Sequence, residues 1–82
     1  MNRQEIIEKL KDAYKTVTGK DPDENFSLES DLRADMGLTS VGMLYFVIVI
    51  ETLFSIRFEN VGTGDFTTLG DVVSYIEKVL AK

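Results

Sequence analysis

Apolar residues in the first part of the chain recur every three or four positions, which is the spacing of one face of a helix. These residues are Ile6, Ile7, Leu10, Tyr14 and Val17. Asn2 can cap this helix, Glu5 three residues later can complete a capping box, and Gly19 is a natural terminator. The pattern therefore predicts a first helix between Asn2 and Gly19.

The longest apolar segment runs from Val41 to Ile50 and follows a polar connection in which Phe26, Leu28 and Leu32 are expected to anchor the loop to the core. Many of its residues are β-branched, so propensity alone also allows a buried strand. The segment continues to Phe54, which is long for a strand, and the chain has no second strand of comparable strength to pair with it. A helix that starts near Ser40 is the favoured interpretation.

The last third of the chain predicts a short extended segment, a turn-rich stretch and a final helix. Residues 56–58 alternate between apolar and polar, and residues 61–66 leave room for one short helical turn at most. Thr68 can cap the last helix, with Asp71 in its first turn. Its expected buried stripe consists of Leu69, Val72, Val73, Ile76, Val79 and Leu80. The pattern predicts an all-α fold, a small four-helix bundle with three longer helices and one short helix.

The size and composition of the chain narrow its possible functions. Its 82 residues are expected to form one domain, 1–82, and the net charge of −5 argues against a nucleic-acid partner. The chain has no Cys and no His, which excludes disulfides, Cys nucleophiles and His bases, and we predict no metal site. We see no signal peptide, and the apolar run is roughly half the length of a membrane span, so a cytoplasmic protein is expected.

Ser40 lies where the polar connection meets the predicted second helix. Gly37 permits a tight turn before it, and Thr39 or Ser40 can cap the helix. The first amides of a helix are unpaired and its dipole is positive there, so a phosphate attached to the Ser40 oxygen would be well placed. A plain capping serine is the alternative, and a serine hydrolase is excluded because no His base exists.

The stretch from Asp35 to Val41, Asp-Met-Gly-Leu-Thr-Ser-Val, resembles the phosphopantetheine attachment site of acyl carrier proteins. The segments 54–58 and 66–76 are similar to that family's link after the second helix and its entry into the last helix. The resemblance implies that a holo-carrier synthase or other phosphopantetheinyl transferase, using Mg²⁺, joins 4'-phosphopantetheine from coenzyme A to Ser40. It also implies that Asp35 assists this transfer and that Thr39 belongs to the cofactor-binding site. Four apolar residues are expected to shape the surface against which the arm and the transferase lie: Met36, Leu38, Val41 and Met43.

The resemblance further implies a non-catalytic protein that carries acyl groups as thioesters in fatty-acid, polyketide or specialised biosynthesis. Its partners would be the transferase and the enzymes that load and process the acyl group. A peptidyl or D-alanyl carrier shares the same attachment motif and stays open. So does a helical interaction module that keeps the fold without the arm.

The predicted second helix departs from the family in its charge. Acyl carrier proteins usually carry several acidic residues there, whereas Glu51 is the only carboxylate here before Ser55. We expect one face to be buried in the core and another to dock partners by burial more than by charge. The expected core residues are Leu44, Val47, Ile50 and Phe54, and the expected docking residues are Val41, Tyr45, Ile48, Glu51 and Thr52. This departure favours a carrier dedicated to one specialised pathway. We expect a monomer, with a weak dimer through the apolar second helix as the alternative.

Overall fold

The computed structural model describes residues 2–59 and 63–81, and it contains three α-helices. Helix α1 spans Arg3–Thr18, α2 spans Ser40–Phe54 and α3 spans Leu69–Leu80. No strand is found within the described ranges, where the only extended pairing is an isolated bridge between Asp31 and Thr68. The predicted all-α class is confirmed, and the long apolar segment is a helix.

The ends of the helices agree with the caps predicted from the sequence. The Asn2 side chain accepts a hydrogen bond from the Glu5 amide at 2.8 Å, and the Glu5 carboxylate accepts one from the Asn2 amide at 3.2 Å. Gly19 ends α1 in the left-handed conformation at φ +74°. Thr68 and Asp71 form a second capping box at the start of α3. These ends form locally because each cap uses only residues three or four positions away.

The predicted short fourth helix is only partly covered. A three-residue 3-10 turn, Thr63–Asp65, precedes α3. Residues 60–62, which belong to the same turn-rich stretch, lie outside the described residues. The fold is therefore an all-α bundle of three described helices and one 3-10 turn, and the four-helix count is not confirmed.

The core lies between α1 and the other two helices, and the loops add side chains to it. The fully enclosed positions of α1 include Ala13, which the apolar spacing did not single out because alanine is small. Along α3 the stripe is buried up to Ile76, whereas Val79 is half-buried and Leu80 is exposed. The buried helical residues are Ile6, Leu10, Ala13, Met43, Phe46, Ile50, Phe54, Leu69, Val72, Val73 and Ile76.

The predicted core face of α2 was partly wrong. Leu44 is 58% exposed and Val47 is half-buried, while the buried positions are Met43, Phe46, Ile50 and Phe54. Leu44 is one residue further along the helix than Met43, and one residue turns the side chain by about 100° away from the core. Because α2 is apolar on nearly every side, it has few polar positions that would indicate which face points outward.

The long connection between α1 and α2 is held against the core and against α3. Leu32 is buried, and Phe26 and Leu28 pack against the core as predicted. The Leu32 amide donates to the Thr67 carbonyl at 2.9 Å, and the Gly70 amide donates to the Leu28 carbonyl at 2.9 Å. The loop that precedes Ser40 is thus held by the burial of its apolar side chains in the core and by backbone hydrogen bonds to the start of α3.

Candidate functional site

The turn before Ser40 is built by two aspartates that bind backbone amides. Asp31 Oδ1 accepts hydrogen bonds from the amides of Arg33 and Ala34, both at 2.8 Å. These two amides, with Ala34 as the stronger influence, hold the pKa of Asp31 below its usual value. Asp35 Oδ2 accepts from the Asp31 amide at 2.8 Å. Both carboxylates therefore help to shape the loop.

Gly37 completes this turn. Its φ is +74°, in the left-handed region that favours glycine, and its amide donates to the Arg33 carbonyl at 3.1 Å. The Leu38 amide then donates to the Leu32 carbonyl at 3.0 Å, and the Tyr14 hydroxyl donates to the Met36 carbonyl at 3.2 Å. This network fixes the backbone that leads into α2.

Met36, Leu38 and Met43 offer almost no exposed area to the arm or the transferase, although Met36 and Leu38 line a hollow beside Thr39 and Gly42. All three are no more than 4% exposed and belong to the core cluster. Their burial pins the turn and the first part of α2 to the bundle, as expected for large apolar side chains. Of the four residues named, only Val41 lies on the surface, with 75% of it exposed.

Ser40 is the first residue of α2 and its side chain is exposed. Thr39 is the N-cap, and its hydroxyl accepts a hydrogen bond from the Gly42 amide at 2.9 Å. Within the described residues, the amides of Ser40 and Val41 have no hydrogen-bond acceptor. The first turn of α2 also contains no acidic side chain. The Ser40 oxygen thus lies at a positive, uncompensated helix end, which suits a phosphate ester.

Arg33 is the functional candidate that the sequence reasoning missed. Its guanidinium Nη1 donates to Ser40 Oγ at 3.3 Å. The two residues are seven positions apart and are brought together by the left-handed turn at Gly37. The sequence shows only that a basic residue precedes Ser40 by seven positions. It does not show on which side of the loop the side chain of Arg33 lies.

Asp35 does not contact Ser40 through any hydrogen bond in the described part of the chain. One of its carboxylate oxygens binds the Asp31 amide, and its side chain is exposed. A role toward the transferase and its Mg²⁺ remains a prediction. The described residues contain no group of three or more His, Cys, Asp or Glu side chains that could hold a metal ion.

A continuous exposed stripe follows Ser40 along α2. We call it the outer face, and it consists of Val41, Leu44, Tyr45, Ile48 and Thr52. Leu44 and Ile48 are each 58% exposed and Tyr45 is 47% exposed. The spacing of three and four residues places all five on one side of the helix, roughly opposite the buried stripe. Glu51 lies beside this face, with its carboxylate bound to the Phe58 amide at 2.9 Å.

Comparison with known proteins places this arrangement in a family. The sequence profile described as "Phosphopantetheine attachment site" matches residues 8–76. An acyl carrier protein of Thermotoga maritima is 32% identical over 79 residues, which cover 96% of this chain and 96% of that protein. The chain belongs to the acyl carrier protein family. Residues 8–76 contain the whole of α2, most of α1 and of α3, and the turn that presents Ser40.

Other relatives of this acyl carrier protein family member cover the chain equally well. An acyl carrier protein of Coprothermobacter proteolyticus is 33% identical over 81 residues, which cover 98% of this chain and 96% of that protein. A protein named meromycolate extension acyl carrier protein, from Mycolicibacterium aurum, is 30% identical over 78 residues. These cover 95% of this chain and 79% of the relative.

Members of this family are carriers and not catalysts, and their domain bears a covalently attached 4'-phosphopantetheine. The non-catalytic role and the cofactor predicted from the sequence are therefore confirmed by the family. The exposed Ser40 hydroxyl fits such an ester, since it lies at a helix start where the first amides are open. Separately, none of the helices in residues 2–59 and 63–81 is both long and apolar enough to span a membrane.

Proposed function

We propose that this protein carries acyl groups as thioesters on a 4'-phosphopantetheine arm attached to Ser40. The observation that supports Ser40 best is its place: it is the exposed first residue of α2, inside the span that matches the family. The arm supplies a thiol that holds the acyl group, and the chain supplies the anchor. Thr39 would orient the anchor by capping α2, and Asp35 would keep the turn in shape while facing the transferase.

The test is the intact mass of the protein after incubation with coenzyme A, Mg²⁺ and a broad-specificity phosphopantetheinyl transferase. We expect a gain of one phosphopantetheine in the wild type and none in Ser40→Ala. Ser74→Ala is the matched control, because Ser74 is an exposed serine midway along α3, and the variant should be modified like the wild type. A gain that persists in Ser40→Ala would place the attachment elsewhere. No gain with several transferases would favour the unmodified interaction module.

We further propose that the outer face of α2, together with Glu51, docks the transferase and the enzymes that load and process the acyl group. Apolar side chains that remain exposed on one helix face are typical of interaction surfaces. The face starts next to Ser40, so a partner seated on it would lie beside the anchor. Its lack of acidic residues supports a carrier that serves one specialised pathway, because partners would recognise it by burial more than by charge steering.

Tyr45→Glu tests this docking surface. Tyr45 is about half exposed and outside the core, so we expect a change in the free energy of unfolding within about 0.5 kcal/mol. Turnover by the partner enzyme should fall, because a charge would have to be desolvated in the interface. Ser74→Glu, on the exposed side of α3, is the control and should leave turnover unchanged. A loss of stability without a loss of turnover would contradict the docking role.

The remaining proposals concern the state of the protein. We propose that residues 1–82 act as one carrier domain, in the cytoplasm, and as a monomer when no partner is present. Sedimentation at rising concentration distinguishes this from a dimer formed through the outer face. The loaded cargo, read by mass, distinguishes an acyl carrier from a peptidyl or D-alanyl carrier.

A further inference from the structure

The contact between Arg33 and Ser40 is the starting point. Arg33 Nη1 lies 3.3 Å from Ser40 Oγ, and the side chain is otherwise exposed. The ion pairs found in the described residues involve other cations, namely Arg3, Lys11 and Lys15. The guanidinium of Arg33 has five N–H donors, and one of its nitrogens, Nη1, donates to the Ser40 hydroxyl. Further N–H donors on the same group are thus available for a second acceptor beside the anchor.

The backbone of Arg33 is held on both sides. Its amide donates to Asp31 Oδ1 at 2.8 Å, and its carbonyl accepts from the Gly37 amide at 3.1 Å. The preceding residue, Leu32, is buried at 1% exposure. A side chain that leaves a fixed backbone loses less entropy when it binds than one on a mobile loop. The turn therefore presents the guanidinium to Ser40 in advance.

We propose that Arg33 binds the phosphodiester that joins the arm to Ser40. This proposal rests on the attachment at Ser40 proposed above. The phosphorus of such an ester is bonded directly to Oγ, and its two non-bridging oxygens, which share one negative charge, are one bond further away. A guanidinium already in contact with Oγ is thus within reach of those oxygens. Arginine matches phosphate oxygens with paired N–H donors, and a charged acceptor is stronger than a hydroxyl.

The charges around the anchor are of both signs. The carboxylates of the turn, Asp31 and Asp35, accept backbone amides, and the pKa of Asp31 is lowered by the amides of Ala34 and Arg33 and, to a smaller extent, by the charge of Arg33. The first turn of α2 contains no acidic side chain that would repel the ester. Arg33 therefore holds the base of the arm against the turn, and it does so without any part in the acyl chemistry at the far end.

Phosphorus NMR of the modified protein tests the proposal. Four proteins are converted with coenzyme A and the transferase and checked by intact mass: the wild type, Arg33→Gln, Arg33→Lys and Arg57→Gln. Arg57 is the matched control, because it is an exposed arginine beyond the other end of α2. We expect Arg33→Gln to shift the phosphorus resonance and narrow it, since the ester becomes more mobile. Arg57→Gln should leave the resonance unchanged. Arg33→Lys should give a resonance between those of the wild type and Arg33→Gln.

Salt gives a second readout in the wild type. Raising the ionic strength to about 1 M shortens the screening length to about 3 Å, so the wild-type resonance should move toward that of Arg33→Gln. A third readout needs no variant: the side-chain N–H signals of Arg33 should move when the unmodified protein is converted, and those of Arg57 should not.

The outcomes separate the two proposals. If the wild type gains no mass, the attachment at Ser40 fails, and the role of Arg33 fails with it. If all four proteins gain mass but share one phosphorus resonance that salt does not move, the carrier function stands and the role of Arg33 is overturned. A full shift in Arg33→Gln and a smaller one in Arg33→Lys, with none in Arg57→Gln, supports both.

Discussion

Helices α2 and α3 both begin after a threonine cap, yet they differ in charge at that end. A carboxylate binds the backbone at the start of α3, which we call closed, and none does so at the start of α2, which we call open. At α3, Thr68 accepts the Asp71 amide, and Asp71 Oδ2 accepts the amides of Thr67 and Thr68 at 2.9 and 3.0 Å. At α2, Thr39 accepts the Gly42 amide, and the position that corresponds to Asp71 holds that glycine. The same capping residue thus leads to opposite electrostatic environments.

The difference shows how a carrier can keep one helix end available. At α3 the Asp71 carboxylate binds the amides of Thr67 and Thr68 and offsets the positive end of the dipole, while the Leu69 and Gly70 amides donate to the carbonyls of Ser30 and Leu28. Without such a carboxylate, α2 needs other support, which comes from the burial of Met43 and of the turn residues Met36 and Leu38. The start of α2 is therefore stabilised largely by packing, and its unpaired amides remain available to an external anion.

The largest effect on loading is expected when a carboxylate is added to the start of α2, as at the start of α3. Gly42→Asp copies the capping box of α3 beside Ser40. A Cβ at this position would lie 3.3 Å from Thr39 Oγ1 and 3.6 Å from Leu38 Cδ2, so only a small adjustment is needed. Repulsion between unit charges about 4 Å apart costs about 1 kcal/mol in water, so loading should slow by roughly five- to tenfold. The initial rate of phosphopantetheine transfer, followed by mass, measures this.

Gly42→Asn is the control for that substitution, since it has nearly the same size and no charge. It should load at close to the wild-type rate. Equal slowing by Asp and Asn would attribute the effect to shape, and the electrostatic difference between the two helix starts would then have no part in loading.

The two cap threonines form the next test, because they separate stability from function. Thr39→Ala and Thr68→Ala should each lower the free energy of unfolding by about 1 kcal/mol. Only Thr39→Ala should also slow loading, because it frees the Gly42 amide and loosens the turn that holds Ser40. Urea unfolding and the transfer rate are measured on the same samples. Thr39→Ser and Thr68→Ser keep the hydroxyl and should recover most of the stability, whereas equal slowing by both alanines would indicate a general loss of structure.

These contrasts also show which features could be predicted from the sequence. The caps at Asn2 and Thr68 were predicted, and that of α2 was limited to Thr39 or Ser40, because a cap and its amide are only three residues apart. The place of Ser40 at the start of a helix follows from the same local logic. The core face of α2 was not predictable in full, since an apolar helix does not indicate its own rotation, and Leu44 was assigned to the wrong side.

The contacts between distant segments were beyond local reasoning. Arg33 reaches Ser40 only because Gly37 adopts a left-handed turn between them. The bonds that join Leu28 and Leu32 to the start of α3 span more than 30 residues. Such pairings depend on how the whole bundle closes, and no spacing rule within one segment encodes them.

The smallest expected effect is a difference in the pH dependence of the two helix starts. The amides of Thr68 and Thr67, in that order of influence, hold the pKa of Asp71 below its usual value. Its contribution to stability is therefore present above the unfolded pKa, which is about 3.9, and is lost as the pH falls through the lower folded pKa. Asp71→Asn should be less stable than the wild type at pH 7, and this deficit should shrink below about pH 4.

Thr39→Ala is the matched comparison for this titration, because no carboxylate takes part in the α2 cap. Its deficit relative to the wild type should stay nearly constant over the same pH range. Taking differences from the wild type removes the contribution of Asp31, whose pKa is also lowered. Asp71 is almost fully solvated, so screening keeps the effect below that of removing a cap. An Asp71→Asn deficit that stays constant down to pH 2 would show that the carboxylate charge does not close the start of α3.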